Sequence, residues 1–261
     1  MTALRIDLNA DVGELPQLLA DGTEEQLLQL VTSANIACGG HAGSPASMQA
    51  VVQSCLEYGI AIGAHPGYPD PHHFGRRSLQ LDSAALEASI REQVSALDAV
   101  ARASGATLRH IKPHGALYND AVRDPERAGC IARAALEWQP SVVLVGLAGS
   151  LMLEVWREHG FRVAAEAFAD RRYEPDGALR SRQLPDAVLE DPAAAAAQAL
   201  AIVTAGGVTS SDGSRVAITA DTLSLHGDTR GALDIARRIR SAFAARGIVV
   251  SALAGIVDGR R

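Results

Sequence analysis

The stretch HIKPHGALYND, from His110 to Asp120, sets the chain's sole lysine, Lys112, beside Pro113 and His114 just past a short apolar run. A lysine there could hold negative charge developing on oxygen, and a histidine could move a proton. Similar clusters recur along the chain. DLNADVGE carries Asp7, Asn9, Asp11 and Glu14, NIACGGHAG carries His41, and GAHPGYPD carries His65 and Asp70. EAFADRRY carries Glu166, Asp170, Arg171 and Arg172, and LHGDT carries His226 and Asp228. Carboxylates, imidazoles and one ammonium suit hydrolysis, because a carboxylate or imidazole can take a proton from water. Serine nucleophilic catalysis is not signalled, since GxSxG is missing. Histidine and carboxylate are also metal ligands, but HExxH is absent, so a metal site would have to be assembled from separate strands.

Taken singly, each cluster also has a structural explanation. Asp7 and Asp11 could cap backbone amides near the first turn, and a histidine before glycine is often a hydrogen-bonded corner. The set is more telling, because four of the eight histidines fall at strand ends. His72, His73 and His159 read as solvated. GLAGS, residues 146–150, reads as a tight turn rather than an anion cradle. Arg171, Arg172, Arg180 and Arg182 could grip a carboxylate or phosphate bidentately, or form a solvated face. Cys38 reads as a packed small residue, not a nucleophile.

What would bring such groups together is the order of the elements. Strand patterns fall at residues 4–8, 34–38, 60–64, 108–111, 142–145, 161–165 and 223–225, with weaker ones at 216–218 and 248–250. Between them lie helices with legible starts: Ser44-Pro45, Asp124-Pro125 and Asp191-Pro192 pair an N-cap side chain with proline. Thr23 and Gln26 fit a capping box. Leu86, Ile90, Val94, Leu97 and Ala101 recur at helical spacing, as do Ala232, Ile235, Ala236, Ile239 and Phe243. Alternating strands and helices imply a parallel sheet. Neither GxGxxG nor GxxxxGK[ST] occurs, which disfavours a dinucleotide fold and a P-loop. The remaining common solution is an α/β fold closed as a parallel βα barrel, a single domain spanning residues 1–261. Strand C-termini then open on one face, and the polar clusters converge on one mouth.

Composition excludes other classes. A formal net charge of −6 without a long basic run argues against nucleic acid as a partner. Three cysteines without CxxC spacing imply reduced thiols and an intracellular setting. The N-terminus lacks a signal-peptide pattern, and no apolar run approaches the ~20 residues of a membrane span, so the expectation is a cytoplasmic protein.

DLNADVGE, ANIACGGHAG, GAHPGYPD, FGRR, KPHGALYN, EAFADRRY and HGDT occur in this order. Together they resemble the LamB/YcsF family, the A subunits of bacterial ATP-dependent 5-oxoprolinases, from Asp7 to about Gly231. There are departures: Gly40 stands where phenylalanine is usual, Ser44 where aspartate is usual, and Ala10 where cysteine is common. The resemblance implies a seven-stranded barrel related to glycoside hydrolase/deacetylase barrels. It also implies conversion of 5-oxo-L-proline, ATP and two waters to L-glutamate, ADP and phosphate, with partner subunits B and C. On this reading Asp7, Asp11, His41, His65, Lys112 and His114 are the catalytic candidates. Lys112, Arg76, Arg77 and Arg171 would neutralise phosphate or the substrate carboxylate, and Asn9, Glu14, Glu166, Asp170 and His226 would complete substrate binding. With no P-loop, ATP either binds by another geometry or at a partner's site. Two alternatives remain at this stage: a stand-alone metal-dependent deacetylase or amide hydrolase, and a non-catalytic small-molecule-binding subunit.

Overall fold

Strands form where β-branched and small apolar residues run between helix caps and glycine turns, and in the main sheet each such run is parallel to its neighbours. In the computed structural model, which describes residues 3–227, 229, 231–253 and 256, the strands are β1 (Arg5–Val12), β2 (Ser33–Ala37), β3 (Ala61–His65), β4 (His110–Ile111), β5 (Val143–Leu147), β6 (Arg162–Phe168), β7 (Gly207–Thr209), β8 (Arg215–Ala217), β9 (Thr222–His226) and β10 (Val249–Val250). β1 to β6 and β9 pair in order, all parallel, and β9 pairs back onto β1, closing a seven-stranded barrel.

The helices between the strands are α1 (Pro16–Ala20), α2 (Thr23–Leu28), α3 (Pro45–Tyr58), α4 (Ser83–Ala103), α5 (Gly115–Ala121), α6 (Pro125–Trp138), α7 (Leu151–Glu158), α8 (Pro192–Ala205) and α9 (Ala232–Ala245). The apolar stripes expected on α4 and α9 are buried. Ser44, Asp82, Asp124 and Asp191 accept hydrogen bonds from first-turn amides. Thr23 does not start a capping box. Gly22, in the left-handed region, caps α2, and Thr23 is already helical, its amide bonded to Asp21. Among the described residues, no helix is long and apolar enough to cross a membrane.

The two weaker strand patterns take different roles. Residues 216–218 contribute to β8, antiparallel to β7 in a hairpin outside the barrel. Residues 248–250 contribute β10, which pairs with the first two residues of β1 before β9 takes over that edge. Leu253, just beyond, packs on the inward Val143, Val145 and Ala164. It thereby closes the lumen at the end opposite the mouth.

β1 is longer than its apolar core suggests, because alternate residues face opposite sides. Leu8, Ala10 and Val12 pack outward under the helices, whereas Asp7, Asn9 and Asp11 point into the barrel. Barrel interiors of this kind usually hold branched aliphatics; here the lumen buries polar side chains, among them Asp7, Asn9, Asn35, Lys112 and Glu166. Asp7 lies deepest, fully buried, and accepts hydrogen bonds from Thr32, Ser33 and Thr222. Burial pushes its carboxyl up to about 6, against those hydrogen bonds. The folded chain therefore keeps this proton over a range where the unfolded chain, at about 3.9, has lost it. Stability from this group falls as pH rises from about 4 to 6. Asp7→Asn should thus gain roughly 2–4 kcal/mol relative to the wild type between pH 4 and pH 7. Urea unfolding at both pH values checks this, and a constant difference would refute it.

Candidate active site

Above Asp7 the lumen is one hydrogen-bonded network. Asn9 donates to Glu166 at 3.0 Å and to Thr222 at 2.7 Å. Asn35 donates to Asn9 and to Asp11, and its own carbonyl oxygen accepts from His110 at 2.8 Å. Lys112, reaching in from the end of β4, contacts Asp11 Oδ1 at 2.9 Å, Glu166 Oε1 at 3.0 Å, Ser224 Oγ at 2.9 Å and Asn9 Oδ1 at 3.3 Å. Burial alone would lower the lysine's pKa, but the two carboxylates outweigh it and hold it raised. Burial likewise opposes the charge of Asp11, yet His65 and Lys112 keep its carboxyl well below the usual range. The ammonium is saturated by these four oxygens. It fixes Asp11 in place and has no proton left for a phosphate.

At the mouth, Glu14, His41, His65 and His114 each offer one ligand atom, and these atoms all lie within 4.8 Å of one another. Glu14 Oε1 is 2.8 Å from His41 Nε2 and 3.1 Å from His114 Nδ1. His114 Nδ1 is 2.9 Å from His65 Nε2, which lies 3.4 Å from Asp11 Oδ2. Backbone carbonyls select the tautomers. His65 Nδ1 donates to the Lys112 carbonyl at 2.8 Å, and His114 Nε2 donates to the Phe74 carbonyl at 2.9 Å. With those protons committed, His65 Nε2 and His114 Nδ1 face each other as lone pairs beside a carboxylate. Such an arrangement needs positive charge at its centre. A proton is one source: Asp11 raises His65 against the effect of burial. A divalent cation is the other, and three imidazoles with a carboxylate, two of them oriented by backbone carbonyls, form a set suited to one. Burial lowers His41, to about 4, and His114, keeping both neutral as ligation requires. His41 and His114 stack at 3.5 Å, and Phe74, whose φ of 55° is left-handed, sets its ring edge-on to both.

A cavity of about 1000 Å3 opens above this group. Asp11, Glu14, His65, Lys112, His114, Arg76, Arg171 and His226 line it. His41 stands behind His114, while Asn9 and Glu166 lie beneath the floor and Asp7 deeper still. Asp170 does not line the cavity. Buried behind His226, it accepts from that ring at 3.0 Å and from Thr229 at 2.9 Å. Arg77 is exposed and outside the lining. Asp228 lies outside the described residues. Arg180 and Arg182 also line the cavity, and Arg180 is paired with Glu174 and Asp186. Cys38 is buried with its thiol pushed up to about 12, which leaves it no nucleophilic role at neutral pH.

A family model described as the LamB/YcsF family matches residues 6–258. The chain belongs to the LamB/YcsF family. Its relatives include the A subunit of 5-oxoprolinase from Chloroflexus aggregans, 51% identical over 247 residues that cover 95% of this chain and 98% of that one. The corresponding 5-oxoprolinase chain of Methylococcus capsulatus, also an A subunit, is 48% identical over 257 residues, 98% and 99% of the two chains. Among solved structures, the Lactam Utilization Protein from Thermus thermophilus is 42% identical, with a TM-score of 0.89 over 95% of this chain and 100% of that one.

The departures from the LamB/YcsF pattern have visible consequences. A Cβ on Gly40 would lie 2.2 Å from Gln93 Oε1. Gln93, buried on α4, uses the room that a larger residue 40 would take, and it clamps Gly67 by bonding both its N–H and its carbonyl. This fixes the loop that follows His65. Ser44 caps α3 by exchanging hydrogen bonds with Ser47. Ala10 is buried on the outward face of β1, where a small residue fits. Sequence reasoning missed Asn35, His110, Thr222, Ser224, Glu24 and Gln93. A signal existed for four of them. Ser33 and Asn35 repeat at period two, as do Thr222, Ser224 and His226, matching Asp7, Asn9 and Asp11, and His110 and Lys112 share one face of β4 in the same way.

Proposed function

We propose that this chain is the A subunit of an ATP-dependent 5-oxoprolinase and that its barrel mouth is where water opens the activated lactam. The observation that carries the reading is the convergence of Glu14, His41, His65 and His114 beside Asp11 at the floor of a large cavity. The names of the relatives supply the substrate class. We assign a divalent cation to those four residues; bound there, it would supply Lewis-acid activation of water or of a carbonyl oxygen. A five-membered lactam is a resonance-stabilised amide. Phosphorylating its carbonyl oxygen makes that oxygen a leaving group and the carbon electrophilic.

The chain's own residues then have distinct tasks. Lys112 and Asn35 hold Asp11 as a carboxylate facing the floor, where it accepts a hydrogen bond from water and orients it. Arg76, Arg171 and His226, on the cavity wall, receive the negative charge of the substrate carboxylate or of phosphate. ATP, bound by a geometry other than the P-loop this sequence lacks or at a partner's site, and subunits B and C complete the reaction, which we place in the cytoplasm.

The test combines this chain with subunits B and C, 5-oxoproline and ATP, and follows glutamate. Glutamate release should need this chain, stop with a chelator and return on adding Mn2+ or Zn2+. Release without this chain ends the assignment. Hydrolysis of an amide by the chain alone, with metal and without ATP, would instead favour a stand-alone deacetylase or amidohydrolase. A site variant that abolishes substrate binding while the complex still turns over would indicate a non-catalytic role.

A further inference from the structure

Asp11, near the end of β1, and Glu14 are joined by one short turn, and that turn has a lock outside the cavity. Between them Gly13 adopts φ +74°, a left-handed conformation that favours glycine. Its N–H points away from the centre and donates to Glu24 Oε2 at 2.9 Å. Glu24 sits in the first turn of α2 and is 3% exposed. Its other oxygen, Oε1, is buried with no hydrogen-bond partner among the described residues. A void with room for about one water adjoins it, walled by Asp11, Glu14, Leu18, Leu27 and Leu233.

A carboxyl group held this way is costly to the fold. It is surrounded largely by leucine, one of its oxygens meets no protein donor among the described residues, and the nearby Glu14 charge opposes its own. An apolar side chain would pack there at lower cost. What it gives is the geometry of the turn. Without an acceptor, the Gly13 N–H would be stranded in a buried position, and the turn would relax toward a partner. Glu14 would move with it, and Glu14 Oε1 is the atom that both His41 and His114 approach.

We propose that Glu24 is a positioning residue of the Glu14–His41–His65–His114 centre, locking the turn that joins Asp11 to Glu14 through its bond to the Gly13 N–H. The proposal rests on the cation reading given above, and it predicts that cation affinity depends on the acceptor at residue 24. Glu24→Met should still fold, yet bind Mn2+ ~10–100-fold more weakly, the usual loss when a partner behind a metal ligand is removed. Glu24→Gln keeps an acceptor for Gly13 and should stay within about threefold of wild type in Mn2+ affinity, well below that loss.

Calorimetric Mn2+ titration of the full chain, thermal melts and amide exchange at Gly13 test this. Wild-type affinity in Glu24→Met overturns it, as does an equal loss in Glu24→Met and Glu24→Gln. Rapid exchange of the Gly13 amide in the wild type overturns it too, even if Glu24→Met fails to fold. If the wild-type chain binds no divalent cation, the cation reading falls instead. Glu24 is then judged by glutamate release in the complex, where Glu24→Met should lower kcat ~10-fold or more with little change in KM, and an unchanged kcat overturns the proposal.

Discussion

Replacing His114 with alanine is expected to lower glutamate release ~100-fold or more and to remove saturable binding of a divalent cation, because Lewis-acid stabilisation is worth several kcal/mol and each 1.36 kcal/mol is tenfold in rate. His114 presents Nδ1 to Glu14 and His65 while its Nε2 is spent on the Phe74 carbonyl, so no other atom of the ring can substitute. The fold should survive. His114 lies at the N-cap of α5 but makes no capping bond through its side chain, and Gly115 and Pro113 keep the turn. Circular dichroism and urea unfolding would establish that the variant is folded, and cation titration and coupled turnover would follow. Wild-type turnover in a folded variant that no longer binds the cation would break the link between the centre and the reaction.

Exchanging Lys112 for methionine should have the largest effect on stability. The side chain is 2% exposed and is the cation to which both Asp11 and Glu166 are tied. Removing one partner of a buried ion pair leaves charge without compensation and costs ~3–5 kcal/mol. In the wild type the lysine's raised pKa makes its contribution complete below the unfolded value of about 10.4, and the contribution is lost only as pH rises through the higher folded value. In the variant the dependence moves into the neutral range. Lumen carboxylates without a counterion favour their protonated forms, so the deficit should grow from pH 5 to pH 8. Lys112→Met/Glu166→Gln should recover part of the loss, since it removes both members of one pair. Turnover should fall as well, because Asp11 loses the contact that holds it over the floor. Urea unfolding at the two pH values measures the first effect. Equal stability of wild type and Lys112→Met at pH 8 would mean that the lysine is not the lumen's counterion.

This role differs from the one its position in the chain suggests. At the end of a strand, beside proline and histidine, Lys112 looks like a group for holding substrate charge. The barrel instead turns it inward and saturates it with protein oxygens. His110 and His114 diverge in the same manner: four residues apart, one ends in the lumen on Asn35 and the other in the cation-type centre. Arg76 and Arg77 are adjacent, yet only Arg76 lines the cavity. In each case local pattern identifies a polar residue near a strand end and leaves its direction open.

The amino-acid sequence by itself determined the alternation of strands and helices, the capped starts of α3, α6 and α8, the buried stripes of α4 and α9, and the gathering of histidines and carboxylates at strand ends. These are local properties, set by periodicities of 3.6 and 2 residues and by cap chemistry. Only the tertiary structure decided that Asp7, Asn9 and Asp11 face a polar lumen, that Lys112 joins Asp11 to Glu166, and that Glu14 meets three histidines from the ends of different strands and the loops beyond them. The reason is physical. Which side chains meet across a barrel depends on closure and on the register between strands, and a shift of one residue turns every side chain of a strand to its other face. That register comes from contacts between residues as far apart as Asp7 and Thr222, a distance along the chain that no local pattern spans.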